Sequence, residues 1–422
     1  MRLSFDGAAV LIGQASLFDI AGSEVVTFEL ARHFSQNGAD VLVVAFGFSD
    51  DWRARLVALP RVEVMRYDDP ELSARIVARR PSIAWIHHSV IPEALLREPG
   101  ETRFVFHHMS AYQFQEFPHS PDVEAALASA IVFPAPETRE AQLASGLYEG
   151  VDESRLTVFG NPAPDEFARD TVDLPPQLER VLLVSNHPPE ELEEAASLLA
   201  ERGIEVVRFG GLPTDPAPKR LVDPADVHGV DAVISIGKTV QYALVAGVPS
   251  FVYDHFGGPG WLSDGNFAAA RHANFSGRGF TSRGAAELVG ELIGGYQEAA
   301  ETAQALRSEF ADDFLLGPAV SRILDGAGPD VPRQPILAQE LAAALLRSEL
   351  LNGLVNAVEA RTLAVKDLTT RLGLLHAQKA ELERTLVDRD AEIAHIRSTP
   401  GFATARKMFD SASRAKRRIT RR

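Results

Sequence analysis

The sequence predicts an α/β protein with two Rossmann-like, doubly wound domains, followed by a C-terminal coiled-coil helix. Up to about residue 330, apolar runs of four to eight residues alternate with helical patterns, as expected of parallel sheets that helices cover on both faces. A polar, proline-bearing stretch near residues 165–180 divides these runs into two series and predicts a hinge. Beyond residue 335 the hydrophobic period changes to seven, which is typical of a coiled coil.

The length and composition agree with this architecture. The chain has 422 residues, enough for two hydrophobic cores and an appendage, and its 45% hydrophobic and 24% charged residues are ordinary for a globular protein. It contains no cysteine, which excludes disulfides, thiolate zinc sites and cysteine nucleophiles and agrees with a reducing compartment. Asp6 stands where a signal peptide needs a continuous apolar stretch, and no run of about 18 apolar residues predicts a membrane span. We therefore expect a cytoplasmic protein that does not cross a membrane.

The first domain, assigned to residues 1–168, contains seven candidate strands. Each is nearly all apolar, as a strand covered on both faces must be. These strands are Ala8–Ile12, Asp40–Ala45, Val62–Met65, Ile83–Ile86, Phe104–Phe106, Ala130–Phe133 and Leu156–Val158. The second domain, assigned to residues 169–328, contains four: Val181–Val184, Glu205–Phe209, Ala232–Ile234 and Pro249–Tyr253.

A heptad repeat predicts a coiled coil over residues 336–397. With Leu351 at position a, eleven of the fourteen a and d positions are apolar, and the exceptions are Lys379, Arg361 and Arg389. The a residues are Leu351, Val358, Val365, Leu372, Lys379, Leu386 and Ile393, and the d residues are Leu354, Arg361, Leu368, Leu375, Leu382, Arg389 and Ile396. A seam this narrow needs a partner helix, so we expect a homodimer through residues 351–396. The alternative is a helix folded back on the globular domains.

Charge is unevenly distributed along the chain. The formal net charge is −16, which disfavours nucleic acid as a partner. The tail, residues 398–422, instead contains eight basic residues against the single acid Asp410. Apolar residues such as Phe402 and Phe409 lie between them, and this combination is typical of a segment that lies on anionic lipid. The alternative is a solvated, charged chain end.

A turn of small residues follows the first predicted strand. Gly22 and Ser23 open an amphipathic helix, so their free N–H groups should face the crevice at the carboxyl ends of the strands. A polar or anionic group of a ligand can bind there. The alternative is a plain turn between a strand and a helix.

A second helix start is predicted after the strand Ala232–Ile234. Ser235 and Gly237 form the turn, and Lys238 and Thr239 begin the helix. Backbone N–H groups, the helix dipole, the Lys238 ammonium and the Thr239 hydroxyl should converge on a diphosphate. The segment is not a Walker P-loop, because the glycine required four residues before Gly237 is absent.

Histidine pairs follow two strands of the first domain. His87 and His88 come after one strand, and His107 and His108 after the next, at the strand ends where α/β enzymes bind ligands. Near pH 7 an imidazole can orient an acceptor or stabilise developing charge. Histidines satisfied by backbone carbonyls are the alternative. Adjacent histidines without a carboxylate at ligand spacing do not predict a metal site.

Asp254 and His255 follow the last predicted strand and precede consecutive glycines and Trp261. Consecutive glycines lose much conformational entropy when a loop is ordered, and loops with polar and aromatic residues often bind ligands. We therefore expect Asp254 and His255 to contact a sugar or nucleotide, Trp261 to offer a stacking face, and Arg278 to bind the same ligand. A purely structural loop is the alternative.

Taken in order, these segments resemble the bacterial polysaccharide glycosyltransferases of family four, also called glycosyl transferases group 1, which have the GT-B fold. The matching segments are Gly22-Ser23-Glu24, Glu29-Leu30-Ala31, Gly38-Ala39-Asp40-Val41, Val158–Ala163 with Phe167, Gly237–Pro249, His255–Gly260 and Asn274–Arg278. The resemblance implies an N-terminal acceptor domain and a C-terminal domain that binds the donor nucleotide. It also implies that Gly22 and Ser23 lie near the donor phosphates and the acceptor, and that His107 or His108 lines the cleft beside the transferred sugar.

The chain departs from this family at two places. The family carries two glutamates, for a sugar hydroxyl and for the ribose, where this sequence has Ile234 and Tyr242. The family's basic pair after the first strand of the second domain is replaced by Ser185, Asn186 and His187, which at a helix start could still bind phosphate. Retaining stereochemistry and the usual donor therefore stay open.

Together these inferences predict a glycosyltransferase that moves a sugar from a nucleotide-diphosphate sugar to a hydroxyl acceptor. A glycan or lipid-linked acceptor, a role in cell-surface polysaccharide or glycan synthesis, and a place at the inner face of the plasma membrane are expected. No cofactor and no metal are expected, since the Asp-x-Asp motif Asp388–Asp390 lies on the predicted coiled coil. The alternatives are a non-catalytic GT-B scaffold that acts through its coiled coil, and a sugar-nucleotide epimerase.

The predicted site residues fall into three groups. The catalytic candidates are His107, His108 and Asp254. The donor-binding candidates are Ser185, Asn186, His187, Ser235, Gly237, Lys238, Thr239, His255 and Arg278. The acceptor-binding candidates are Gly22, Ser23, His87 and His88.

Overall fold

Two β-sheets form the framework of the protein. The computed structural model describes residues 4–168, 173–210, 220–326 and 336–419. Within those ranges the first sheet contains β1 (Ala9–Leu17), β2 (Asp40–Phe48), β3 (Val62–Arg66), β4 (Ile83–His87), β5 (Arg103–His107), β6 (Ala128–Phe133) and β7 (Leu156–Val158). Their order is β3-β2-β1-β4-β5-β6-β7, and every neighbouring pair is parallel.

The second sheet lies later in the chain. Its described strands are β8 (Arg180–Ser185), β9 (Glu205–Gly210), β10 (Ala232–Ser235), β11 (Ser250–Asp254) and β12 (Gly257–Trp261). Their order is β12-β11-β10-β8-β9, parallel except for the antiparallel pair β11 and β12. The two doubly wound α/β domains expected from the sequence are confirmed.

Helices connect the strands and extend beyond the second sheet. In the described part of the chain they are α1 (Gly22–Gln36), α2 (Asp50–Val57), α3 (Leu72–Arg79), α4 (Glu93–Arg97), α5 (Pro121–Leu127), α6 (Pro136–Ala144), α7 (Glu190–Glu201), α8 (Pro224–His228), α9 (Lys238–Ala246), α10 (Asp264–His272), α11 (Ala285–Gly294), α12 (Tyr296–Phe314), α13 (Leu316–Gly326), α14 (Ala338–Ser398) and α15 (Pro400–Ile419). Short 3₁₀ turns occur at Phe114–Glu116, Glu153–Arg155 and Asp165–Phe167.

Each predicted strand is present, and β12 is an additional strand where the sequence analysis expected a ligand-binding loop. Its glycines explain the difference. A Cβ atom at Gly258 would collide with the carbonyl oxygen of Val252, and Gly257 has a φ of +77°. A strand that pairs this closely with β11 therefore needs glycine at positions where sequence reasoning predicts only a turn.

The first sheet is buried on both faces. Consecutive residues of one strand belong to different clusters, with Trp85 and Val105 on one face and Ile86 and Phe106 on the other. Side chains alternate across a strand, so a strand covered twice must be apolar at every position. This explains why the strand segments are readable in the sequence without an alternating pattern.

The chain passes between the two domains at two adjacent points. The N–H of Ala163 donates to the carbonyl oxygen of Phe314 at 2.7 Å, and the N–H of Leu316 donates to that of Ala163 at 2.8 Å. Helix α13 then returns to the first sheet, where Ala319 and Val320 join the core that contains Trp85. The segment expected to end the second domain thus completes the first. The boundaries predicted at 169 and 328 lie outside the described residues.

Helix α14 begins against the first domain and is 61 residues long. Ala344 packs into the first domain's core, and the Arg347 guanidinium donates to the Ser120 hydroxyl at 3.1 Å. Among the described residues, α14 is long and apolar enough to cross a membrane. For a single helix, length and composition are only weak support for a membrane span.

Residues Ala357–Arg422 form a separate compact unit. Within it, the apolar a and d side chains of the heptad repeat are 44–65% exposed. A helix over the predicted coiled-coil segment is confirmed, and the coiled coil and the homodimer remain predictions.

Candidate active site

A cleft of about 530 Å³ lies between the two domains, at the carboxyl ends of their strands. Most of the predicted site residues line it: Gly22, Ser23, Ser185, Asn186, His187, Ser235, Gly237, Lys238, Thr239, Asp254 and His255. His87, His88, His107, His108 and Arg278 lie elsewhere. The cleft also contains residues that the sequence analysis did not select, among them Glu24, Glu116, Asn161, Arg220 and Asn274.

The first-domain wall of the cleft is the start of α1. The Gln14 side-chain amide donates to the Ser23 hydroxyl at 3.2 Å, and this hydroxyl donates to the Glu24 carboxylate at 3.1 Å. The Thr27 hydroxyl donates to the side-chain carbonyl oxygen of Gln14 at 3.2 Å. Burial raises the pKa of Glu24 above its usual range. The turn therefore presents an oriented carboxylate as well as the N–H groups expected from the sequence.

The second-domain wall is the start of α9. Gly237 has a φ of 59° and a ψ of −122°, which only glycine adopts without strain, and its N–H donates to the carbonyl oxygen of Phe275 at 2.9 Å. The Ser235 hydroxyl donates to the carbonyl oxygen of Val184 at 2.7 Å. Because the first N–H groups of a helix have no intrahelical partner, those of Lys238 and Thr239 remain available to a ligand in this cleft.

The Lys238 side chain is directed toward the first domain. Its ammonium forms an ion pair with Glu29 at 2.6 Å and donates to the carbonyl oxygen of Pro162 at 2.9 Å. The Tyr242 hydroxyl donates to the other oxygen of Glu29. Burial lowers the pKa of Lys238, and Glu29 offsets part of that shift. Lys238, which the sequence analysis expected to bind a diphosphate, thus has its charge already neutralised by the Glu29 carboxylate. The sequence analysis did not predict this ion pair.

Asp254 and Ser185 meet at the ends of β11 and β8. The Ser185 hydroxyl donates to one Asp254 oxygen at 3.0 Å, and the His255 N–H donates to the other at 2.8 Å. The His187 N–H donates to the Ser185 hydroxyl at 3.3 Å. Both oxygens of Asp254 are therefore engaged, so this residue shapes the cleft floor, while the His187 and His255 side chains border the open volume.

His87 and His107 are fully buried behind the cleft. Burial lowers the pKa of His107 to about 3 and holds the pKa of His87 well below its usual value, so both imidazoles are neutral near pH 7. The Trp85 indole N–H donates to His107 Nδ1 at 3.4 Å. The structure places both residues outside the cleft, because a strand end can point into the core as well as into the crevice, and the acceptor and catalytic contacts predicted for them stay predictions.

His88 and His108 hold two buried carboxylates. His88 contacts Glu116 at 3.0 Å, and His108 contacts Glu124 at 2.9 Å. Burial would lower the pKa of His108, but Glu124 and Glu116 together outweigh it and the net effect is a raised pKa. Glu116 also accepts the Met109 N–H at 2.8 Å. These histidines fix the segment that follows β5, which lines the cleft, and do not line it themselves.

Arg278 joins the two domains beside the cleft. Its guanidinium binds Glu137 of α6 with two nitrogens, at 2.9 Å and 2.6 Å, and lies 5.2 Å from the Tyr112 ring centre. In the structure Arg278 thus makes a contact between the domains, and the donor contact predicted for it stays a prediction. Trp261, the predicted stacking face, donates its indole N–H to the carbonyl oxygen of Glu291 at 2.9 Å and packs within the second domain.

Asn161 lines the cleft and has a buried oxygen without a hydrogen-bond partner among the described residues. Its N–H donates to Gln241 at 3.1 Å and its side-chain amide donates to Asn274 at 3.2 Å. Its side-chain carbonyl oxygen is buried and, among the described residues, has no hydrogen-bond partner. The sequence analysis noted the Asn161-Pro162 pair but did not select Asn161 as a site residue. The sequence does not show that the segment after the first domain's last strand lies in the cleft. Across the described ranges, no group of three or more His, Cys, Asp or Glu could hold a metal ion.

Comparisons with known proteins agree with this architecture. No family model matches the chain, and no curated protein sequence matches it either. A glycosyltransferase from Rickettsia africae ESF-5 is similar in structure, with 12% identity over 76% of this chain and 97% of that chain and a TM-score of 0.50. HepE from Anabaena, solved with UDP, has 14% identity over 75% of this chain and 98% of that chain, with a TM-score of 0.47.

At such identities a structural likeness establishes the fold. Membership of family four therefore stays a prediction. The two mostly parallel sheets, the cleft at the carboxyl ends of their parallel strands and the similarity to the Rickettsia structure show that the chain has the two-domain GT-B fold.

Proposed function

We propose that the protein is a glycosyltransferase that moves a sugar from a nucleotide-diphosphate sugar on the second domain to a hydroxyl acceptor on the first. The observation that carries this proposal is that two helix starts, α1 at Gly22 and α9 at Lys238, line one cleft of about 530 Å³. Helix starts offer unpaired N–H groups and partial positive charge. The Rickettsia protein with the same fold is itself described as a glycosyltransferase.

The donor diphosphate would bind at the start of α9. Thr239 contributes a hydroxyl there, and the adjacent N–H groups contribute dipoles aimed at the leaving phosphate. Since the Lys238 ammonium is paired with Glu29 at 2.6 Å, the backbone and Thr239 would meet a larger share of the developing negative charge than the sequence suggests. His187 and His255 border the same volume and would contact the nucleotide or the sugar.

Glu24 is the carboxylate best placed to take the acceptor's proton. Three carboxylates line the cleft in the described chain: Glu24, Glu116 and Asp254. Glu116 and Asp254 have partners on both oxygens. Glu24 is bonded only to the Ser23 hydroxyl and to its own backbone N–H. Its capacity to accept a further proton is therefore unused.

The chemical step would be a direct displacement. As the acceptor oxygen bonds to the anomeric carbon, its proton would pass to Glu24. The bond between that carbon and the diphosphate oxygen would break, and the electron pair would leave on the nucleotide. A raised pKa suits Glu24 to this role, because a general base works best when its pKa approaches the working pH. A displacement of this kind inverts the anomeric configuration.

The test is nucleotide binding by the full chain, measured as thermal stabilisation and by calorimetry against uridine, thymidine, guanosine and adenosine diphosphates and their sugars. Thr239→Val and His187→Ala should weaken binding of the preferred nucleotide about tenfold each, since each removes a contact at the cleft. Thr138→Val and His395→Ala are the matched controls, because neither residue lines the cleft. No binding of any nucleotide would contradict the proposal.

Two other functions are separated by the same experiments. A non-catalytic scaffold is favoured by Ile234 and Tyr242 in place of the family's glutamates and would bind no nucleotide. A sugar-nucleotide epimerase would bind one and convert its sugar without an acceptor. Release of free nucleotide diphosphate that depends on an added acceptor distinguishes the transferase from the epimerase.

The wider setting of the enzyme is also proposed rather than observed. We propose a glycan or lipid-linked acceptor, a role in cell-surface polysaccharide or glycan synthesis, metal-independent transfer, a homodimer through residues 351–396, and a cytoplasmic location at the inner face of the plasma membrane. The heptad repeat and the basic tail are the features that support the last two.

A further inference from the structure

We propose that helix α15 is a lipid-binding helix that lies on an anionic bilayer surface, with Phe402 and Phe409 inserted among the lipid chains and its basic residues against the headgroups. The helix spans Pro400–Ile419, 20 residues or about 30 Å at 1.5 Å per residue. It is separated from α14 by Thr399. The surface is independent of the cleft and of the proposed transfer reaction.

The apolar face of α15 is continuous and exposed. Phe402, Ala405, Phe409 and Ala412 are spaced by three or four residues and so form one stripe along the helix. Phe402 and Phe409 lie within about 20° of each other around the axis at 3.6 residues per turn. Their exposed fractions are 38% and 73%, and the neighbouring Met408 is 71% exposed. Water-exposed aromatic rings in a stripe of this kind indicate a surface with an unfilled apolar partner.

The opposite face of the same helix is basic. Arg406 lies at the border of the stripe, and Lys407 and Arg414 lie on the far side, each exposed. Asp410 is the single acidic residue in the segment, and beyond Arg414 the sequence raises the segment's positive charge with Lys416, Arg417, Arg418, Arg421 and Arg422. A helix with aromatic residues on one side and basic residues on the other is the type that lies in the plane of an anionic membrane interface.

Charge complementarity favours lipid over the other polyanion that a basic segment can bind. A nucleic acid would engage the basic face and leave Phe402, Met408 and Phe409 in water. A bilayer with anionic headgroups satisfies both faces at once, because the charges meet the headgroups and the rings enter the acyl boundary.

The experiment is flotation of the full-length chain with vesicles of phosphatidylcholine alone and with about 30 mol % phosphatidylglycerol. Binding is expected only to the anionic vesicles and should fall in about 0.5 M salt, where the screening length is about 4 Å. Arg406→Glu with Lys407→Glu should lower the partition coefficient tenfold or more, since two attractive charges become repulsive. Arg97→Glu with Arg202→Glu, two exposed arginines of the body, gives the same charge change and should leave binding unaltered.

The apolar face is tested separately. Phe402→Ser with Phe409→Ser should also lower the partition coefficient tenfold or more. Leu374→Ser with Val387→Ser, two exposed residues of α14 outside the heptad seam, is the matched control and should bind as the parent chain does. Circular dichroism and gel filtration of every variant show whether the fold and assembly are kept.

Three results would overturn the proposal. Equal binding to neutral and anionic vesicles would remove the role of the basic face. Equal binding by the phenylalanine variant and the parent would remove the role of the apolar face. Retention on a single-stranded polynucleotide in the absence of any vesicle binding would assign the tail to nucleic acid.

Discussion

Lys238 and Glu29 form a buried ion pair that belongs to both domains. The ammonium and the carboxylate are 2.6 Å apart, their side chains are 10% and 6% exposed, and Tyr242 donates to the same carboxylate. A lysine at the start of α9 is the residue that sequence reasoning assigns to a phosphate. Its ion pair with Glu29 instead makes Lys238 a structural link between α1 and α9. Its backbone N–H remains available to a ligand.

Lys238→Ala should lower the free energy of unfolding by about 3–5 kcal/mol, because it leaves the Glu29 carboxylate buried without its cation. Chemical denaturation followed by fluorescence measures this value. Lys407→Ala, on the exposed surface of α15, is the control and should change it by less than about 0.5 kcal/mol. A loss below 1 kcal/mol for Lys238→Ala would contradict the described pairing.

Glu24→Gln should reduce kcat by about 10² to 10⁴, the usual contribution of a general base. Nucleotide affinity should stay within twofold, since the side chain belongs to the acceptor wall of the cleft. Glu24→Asp should retain part of the activity and shift the pH profile, which also depends on the nearby charges of His88 and Asp19. If Glu24→Gln keeps full activity, another group takes the proton.

His87 should make the protein sensitive to acid. Its pKa is lowered well below 6.5 by burial, so below pH 6.5 the unfolded chain binds a proton that the folded chain does not. Stability then falls by about 1.4 kcal/mol for each pH unit below 6.5 from this residue alone. Urea unfolding at pH 7.5 and 5.5 should show that His87→Phe loses this part of the acid response, whereas exposed His272→Gln keeps it.

The residues that could be predicted from sequence are those whose place depends on backbone topology. Gly22, Ser23, Ser185 and Gly237 lie in the cleft because each follows the carboxyl end of a strand, and strand ends are readable as apolar runs. The partners of Lys238 and Arg278 come from the other domain, more than a hundred residues away in the chain. No local pattern specifies such contacts, so the sequence did not predict them.

At the scale of the element, helix α14 shows an apolar stripe that its own chain leaves in water. The apolar a and d side chains from Val358 onward are 44–65% exposed, and the helix is 61 residues long. Isolated helices derive little stability from propensity alone, and an apolar seam of this kind is stabilised by a second helix. Helix α14 could be predicted from its sequence pattern, whereas strand β12 could not. Its glycines are typical of a turn, and they are needed because β12 lies so close to β11.

Leu375→Glu should weaken self-association of the full chain by tenfold or more, because it places a charge at a d position of the seam. Sedimentation velocity over a range of concentrations measures the dimer population. Ala377→Glu introduces the same charge two residues away, at an f position that faces solvent, and should leave the dimer intact. A chain that is monomeric at every concentration would refute the predicted homodimer.

At the scale of the whole molecule, the two α/β domains contact each other on several sides of the cleft. Arg278 and Glu137 form a two-nitrogen contact, His272 lies 3.2 Å from Glu140, and the Asn186 amide donates to the carbonyl oxygen of Ile20 at 3.2 Å. These contacts surround the volume in which donor and acceptor would meet. A transferase of this design must keep water away from the donor, and contacts across the cleft contribute to that exclusion.

Arg278→Gln should weaken nucleotide binding about fivefold, because the lost ion pair stabilises the closed arrangement by about 1 kcal/mol. Small-angle X-ray scattering should also record a larger radius of gyration without nucleotide. Arg271→Gln removes an ion pair with Asp313 inside the second domain and should change neither quantity. Unaltered affinity and size for Arg278→Gln would mean that this contact does not control the cleft.

Helix α13 has a consequence for how the protein is made. It contributes Leu316, Ala319 and Val320 to the core of the first domain, although it is encoded after the whole second domain. During translation the first domain therefore emerges from the ribosome with part of one apolar face of its sheet uncovered. That part must stay soluble, or be shielded by a chaperone, until α13 has been made.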